Sequence, residues 1–85
     1  MKNEPVMRLT LLSREYCHVC HDMLDELRRL QAQFPFDLRV IDVDSDAALE
    51  DRYGELVPVL LAGETEICRY RLDRAALEIY FKEHA

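Results

Sequence analysis

The chain is poor in the residues that divide a polypeptide into separate pieces. Its 85 residues hold two glycines and three prolines, no tryptophan, and no repeat or low-complexity run. A flexible linker is thereby excluded, and one domain over residues 1–85 is expected. Long apolar runs are missing too. Nothing approaches the roughly 18 residues of a membrane-spanning helix, so no membrane partner is expected. The opening Met1-Lys2-Asn3-Glu4-Pro5 lacks the apolar stretch of an export signal, which points to a cytoplasmic location. Positive charge is scarce: eleven Lys and Arg stand against seventeen Asp and Glu, for a net charge of −6. An acidic surface repels phosphates, so nucleic acid is not an expected partner.

Cysteine is also rare. There are three, an odd number, and two of them stand three apart at Cys17 and Cys20. Such a set cannot staple a fold, and in a reducing compartment the pattern leans towards catalysis or metal binding. What the chain does have is apolar residues, 49% of the total, enough for one small core.

Arg8–Ser13 reads as a strand with apolar residues on both faces. From Cys20 an apolar stripe runs through Met23, Leu24, Leu27, Leu30 and Phe34, one face of a helix that Pro35 ends. Phe36–Val43 is a second strand. Asp44 or Ser45 caps a short helix over 46–53, with Gly54 at its end. Val57–Ala62 is a third strand entered through Pro58, and Gly63 turns the chain into a fourth over 66–70. Asp73 caps a last helix, with Leu72 and Leu77 as a hydrophobic staple and Leu77, Tyr80 and Phe81 buried. The expected fold is α/β, in the order β-α-β-α-β-β-α: a four-stranded mixed sheet flanked by three helices on both faces.

Cys17-His18-Val19-Cys20-His21 then falls in the turn between a strand and a helix. C-x-x-C-H is also a haem-attachment pattern, with His21 as axial ligand. The β-rich runs at 36–43 and 57–70 and the missing export signal oppose that reading. Zinc on Cys17, Cys20 and His21, with Cys68 or His84 as a fourth ligand, lacks the second two-ligand knuckle of structural sites. Asp42-Val43-Asp44-Ser45-Asp46 resembles the start of a calcium loop, but Ala47 and Tyr53 stand where glycine and a chelating acid belong. No metal is expected.

A dithiol explains the placement better. A cysteine at a helix start faces unpaired N–H groups and the positive end of the helix dipole, which lower its pKa below about 8.5. His18 and His21 add positive charge when protonated. Cys17 is therefore expected to be the nucleophile and Cys20, one turn deeper on the buried stripe, the resolving thiol. Pro58 at the mouth of a strand fits either a trans entry to an edge strand or a cis bond that turns Val57 towards the dithiol.

Leu11 to Cys20, Val57-Pro58-Val59 and the Gly63 hairpin before a final helix resemble the glutaredoxins, within the thioredoxin fold. The likeness is to small bacterial members with C-H-x-C, and it runs over nearly the whole chain. The resemblance implies a cis Pro58 and a thiol–disulfide oxidoreductase that reduces protein or glutathione mixed disulfides. Glutathione is then a co-substrate and no cofactor is bound, while glutathione or the thioredoxin system supplies the electrons. It places Arg14, Tyr16, Val57, Pro58 and Asp73 in the substrate site, with Arg14 on a glutathione carboxylate and Asp73 near the γ-glutamyl end. Two positions depart from the family pattern: His18 follows the first cysteine where proline is usual, and Arg71-Leu72 replaces a Gly-Gly pair. The other function class is a binding module of the same fold that docks a partner or carries an iron–sulfur cluster without turnover. Cys68 is expected to be a buried structural thiol on the same strand face as Tyr70.

Overall fold

A computed structural model describes residues 7–84; the stretch Met1–Pro5 read above for export lies outside them. The elements are β1 (Met7–Ser13), α1 (His18–Leu30), β2 (Phe36–Asp42), a 3-10 turn (Val43–Ser45), α2 (Ala47–Tyr53), β3 (Val59–Ala62), β4 (Thr65–Arg69) and α3 (Arg74–His84). The sheet order is β2-β1-β3-β4. β1 and β2 are parallel, while β3 is antiparallel to both β1 and β4. This is the mixed sheet and element order expected from the sequence.

Alternation along β1 sorts the core into two layers. Leu9 and Leu11 face α1 and α3, packing with Met23, Leu27, Leu60 and Leu77. Leu12 faces the other way, into a smaller cluster with Val43 and Val59 that Leu49 and Tyr53 of α2 cover. Helices therefore lie on both faces. The buried stripe of α1 is Cys20, Met23, Leu27 and Leu30.

Boundaries differ from expectation in four places, each with a physical cause. α1 stops at Leu30, not Phe34. The segment after it tightens into i→i+3 bonds, Gln33 N–H to Leu30 O at 2.8 Å among them, and the Gln31 side chain donates to Phe36 O at 2.8 Å. A residue before proline avoids the helical region, so Phe34 cannot prolong α1. The cap of α2 is Asp46, whose Oδ1 accepts from Ala48 N–H at 2.9 Å and Leu49 N–H at 3.3 Å. Asp44 and Ser45 are instead part of the preceding 3-10 turn, whose cap is Asp42. β3 begins at Val59, because Pro58 has no N–H to place in a ladder. In β4, Leu60 faces Cys68 while Leu61 faces Glu66, so Ile67 is an extra residue in a bulge.

That bulge corrects the expected alternation. Ile67 and Cys68 both pack against the larger core, whereas Tyr70 lies past the strand at φ 72 and is half exposed. The β3–β4 turn has Gly63 at φ 62 as the first of two linking residues, the pattern of a type II′ hairpin.

Candidate functional site

Strand direction gathers one end of the molecule into a site. β1 ends at Ser13 beside Asp42, and Val59 lies opposite Leu12 and Arg69. The turn after β1, the Val57–Pro58 entry to β3 and the link from β4 to α3 therefore share one edge of the sheet. The dithiol is in that turn.

Cys17 is the N-cap of α1, with extended φ and ψ of −102° and 108°. Its own N–H donates to Arg14 O at 3.1 Å, and its carbonyl accepts from His21 N–H at 3.2 Å to start the helix. Its sulfur accepts from Cys20 N–H at 3.2 Å, the bond a capping side chain makes. Cys17 and Cys20 form a disulfide with Cα atoms 5.2 Å apart. Cys17 is partly exposed and Cys20 is only 1% exposed. Cys17 is thus the more accessible residue of the pair.

Tyr16 is 91% exposed beside Cys17. His18 is exposed on the first turn of α1. His21 is exposed, and its Nε2 lies 2.9 Å from Glu15 O. A carbonyl only accepts, so this nitrogen carries the proton and the contact braces the turn. The Val57–Pro58 bond is cis. Pairing of β3 begins at Val59, and among the described residues the N–H and C=O of Val57 enter no strand ladder or loop hydrogen bond. Pro58 O accepts Tyr70 N–H at 2.8 Å, tying the two loops together.

Arg14 and Asp73 are engaged by their own chain. Arg14 Nη2 donates to Glu50 Oε2 at 2.8 Å. Its buried Nε lies 3.2 Å from Asp44 Oδ1, off the line of the N–H, so that contact is an ion pair and not a hydrogen bond. The pair runs against Gly54, where an added Cβ would meet Arg14 Nη2 at 2.9 Å and Glu50 Oε2 at 2.7 Å. Asp73 Oδ1 accepts Ala76 N–H at 3.0 Å and caps α3 as expected.

Cys68 is a half-buried free thiol. Burial pushes its pKa up, with the Asp73 and Glu66 carboxylates adding to the effect against a lowering hydrogen bond from Asp73 N–H. His84 is exposed and stacks on Tyr80 at 3.9 Å. Among the described residues, no three His, Cys, Asp or Glu side chains converge as a metal site, and no helix is long and apolar enough to cross a membrane.

Sequence reasoning missed a groove of 390 Å³ beside the dithiol. It runs between α1 and the β4–α3 link, with Val19, Met23 and Leu72 as apolar lining and Asp22 and Glu26 on the helix side. The available signal was the spacing of those two acids, four apart and beginning two residues after Cys20.

A four-stranded mixed sheet with a C-x-x-C pair at the first helix start and a cis proline entering β3 at the same end of the sheet defines the thioredoxin fold. Thioredoxin 1 of Thermosipho africanus shares it, with a TM-score of 0.64 at 24% identity over 92% of this chain and 98% of that one. Residues 8–82 match the family described as Glutaredoxin-like domain (DUF836), and the chain belongs to that family. A solution structure of a protein from Nitrosomonas europaea is similar, with a TM-score of 0.81 and 37% identity over 94% of this chain and 98% of that one. An uncharacterised protein of Mycobacterium tuberculosis is 29% identical over 75 residues, 82% of this chain and 77% of the relative.

Proposed function

We propose that the protein is a thiol–disulfide oxidoreductase that reduces protein disulfides. The observation that carries this reading is the paired geometry of the dithiol. Cys17 caps α1 through its sulfur, which accepts the Cys20 amide, and the residue is partly exposed while Cys20 is buried. In the reduced protein the same amide and the helix dipole favour the Cys17 thiolate.

The thiolate attacks one sulfur of a substrate disulfide. The S–S bond breaks, the other sulfur leaves as a thiol after taking a proton, and Cys17 holds the substrate in a mixed disulfide. Cys20 loses its proton and attacks Cys17 sulfur. The second substrate thiol leaves and the Cys17–Cys20 disulfide forms, so two electrons have passed to the substrate. Glutathione or the thioredoxin system returns the electrons. The unladdered backbone of Val57 suits an extended substrate strand at the mouth of the site, with Tyr16 and Pro58 flanking it.

Two observations favour a protein substrate over a glutathione-specific site. Arg14 is paired with Asp44 and Glu50, and Asp73 is used as a helix cap. Glutathione in this reading is an electron donor, not a ligand held by dedicated groups. The test is reduction of hydroxyethyl disulfide and of a disulfide-bonded protein such as insulin, with either donor. Cys17→Ser should fall to the uncatalysed rate on both, and Cys20→Ser should accumulate the mixed disulfide on Cys17. Full activity in Cys17→Ser would reject the proposal.

A further inference from the structure

The groove beside the dithiol has walls of opposite character, and this bears on which disulfides it accepts. It begins at Val19, between the two cysteines, and Val19 and Tyr70 leave apolar surface uncovered at 49% and 51% exposure. Asp22 and Glu26 stand one helical turn apart along its edge. Among the described residues, the ion pairs are Arg14 with Asp44 and Glu50, Arg69 with Glu66, and Arg74 with Glu78; none involves Asp22 or Glu26. Arg71 on the far wall offsets one of the two carboxylates. The groove stays net negative, in a chain of net charge −6.

We infer that this groove selects disulfides on extended peptide segments carrying Lys or Arg beside the reactive cysteine. The inference rests on the oxidoreductase reading above and names its substrate class. The cation sits against Asp22 and Glu26, and a neighbouring apolar side chain lies on Val19, Met23 and Leu72. Anionic disulfides meet repulsion there, and the guanidinium of Arg14, nearest the dithiol in sequence, is already neutralised by two carboxylates. The electron balance is that of the parent reaction: the protein dithiol becomes a disulfide and the substrate disulfide becomes two thiols.

The test is a single-turnover measurement with no added reductant. Reduced protein is mixed with excess homodimeric peptide disulfide, and formation of the Cys17–Cys20 bond is followed by acid quench and mass analysis. Three peptides differ only in having Lys, Gln or Glu beside cysteine. At low salt the Lys peptide should react about three- to tenfold faster than the Glu peptide, as two solvent-exposed charge contacts allow. The ratio should approach one at about 1 M salt, where the screening length is about 3 Å. Asp22→Lys with Glu26→Lys should invert the order. Equal rates at low salt, a preference for Glu, or an unchanged order in a folded double variant would each overturn the inference. If the double variant does not fold, Asp22→Asn with Glu26→Gln takes its place: the Lys preference should shrink towards one, and a preference left at its natural size would overturn the inference, because the remaining negative charge of the chain would then account for it. Hydroxyethyl disulfide separates the two levels. If it oxidises the protein while the peptides show no ranking, the groove claim fails and the dithiol reading stands; if nothing oxidises it, the dithiol reading itself fails.

Discussion

Tyr70 is held at φ 72, a backbone region that an L side chain enters at a cost of about 1–2 kcal/mol. Its N–H is tied to Pro58 O and the next amide bonds back to Arg69 O at 2.8 Å, so the chain is bent sharply just where it leaves β4. Glycine enters this region without penalty. Tyr70→Gly is therefore expected to be more stable than Tyr70→Ala by about 1 kcal/mol, reversing the order those residues show in ordinary helix and strand interiors. Urea unfolding of the two variants checks it, and an alanine form as stable as the glycine form would contradict it. The strain was invisible in the sequence, where Glu66–Tyr70 reads as an unbroken strand. The Cys17–Cys20 pairing was legible because it depends on local spacing at a helix start. Arg14 was not, because Asp44 and Glu50 reach it from a segment far along the chain.

At the scale of elements, caps decide more than propensity does. α2 is seven residues long, buries no residue completely and is anchored at its start by two amides on Asp46. Asp46→Ala should cost about 1 kcal/mol, lowering the melting temperature by about 4–8 °C for a domain of this size, while Asp46→Asn should restore most of the loss. Calorimetry on the two variants tests this; equal melting temperatures would remove Asp46 as the anchor. Most elements could be read from periodicity, since β1 alternates across a two-sided core and α1 carries one apolar stripe. The misplaced ends share a different origin. The stop of α1 depends on Gln31 reaching Phe36 O, and the β4 bulge depends on register with β3. Both contacts are near in sequence, but neither a side chain's bond to a backbone carbonyl nor a one-residue bulge leaves a mark on the apolar periodicity.

Across the whole molecule, the Arg14 ion pairs join the dithiol turn to α2 on the opposite face of the sheet from α1 and α3. This lashing ties the turn to α2 and holds the guanidinium on carboxylates of its own chain. Asp44→Asn with Glu50→Gln should release the guanidinium and raise kcat/KM for oxidised glutathione by about threefold, with about 1 kcal/mol or less lost in stability. Steady-state kinetics with glutathione disulfide and with a neutral disulfide would show the rise only for the former; a fall for both would mean that the turn had lost its shape. A second consequence concerns the opposite pole. The Gly63 turn joins the ends of β3 and β4 that point away from the dithiol, and an added Cβ at Gly63 would have no heavy atom within 4 Å. A tether or a fluorescent reporter inserted after Glu64 would hang clear of every group proposed to meet substrate, so the protein can be fixed to a surface by its back and still present the Cys17–Cys20 turn to solution.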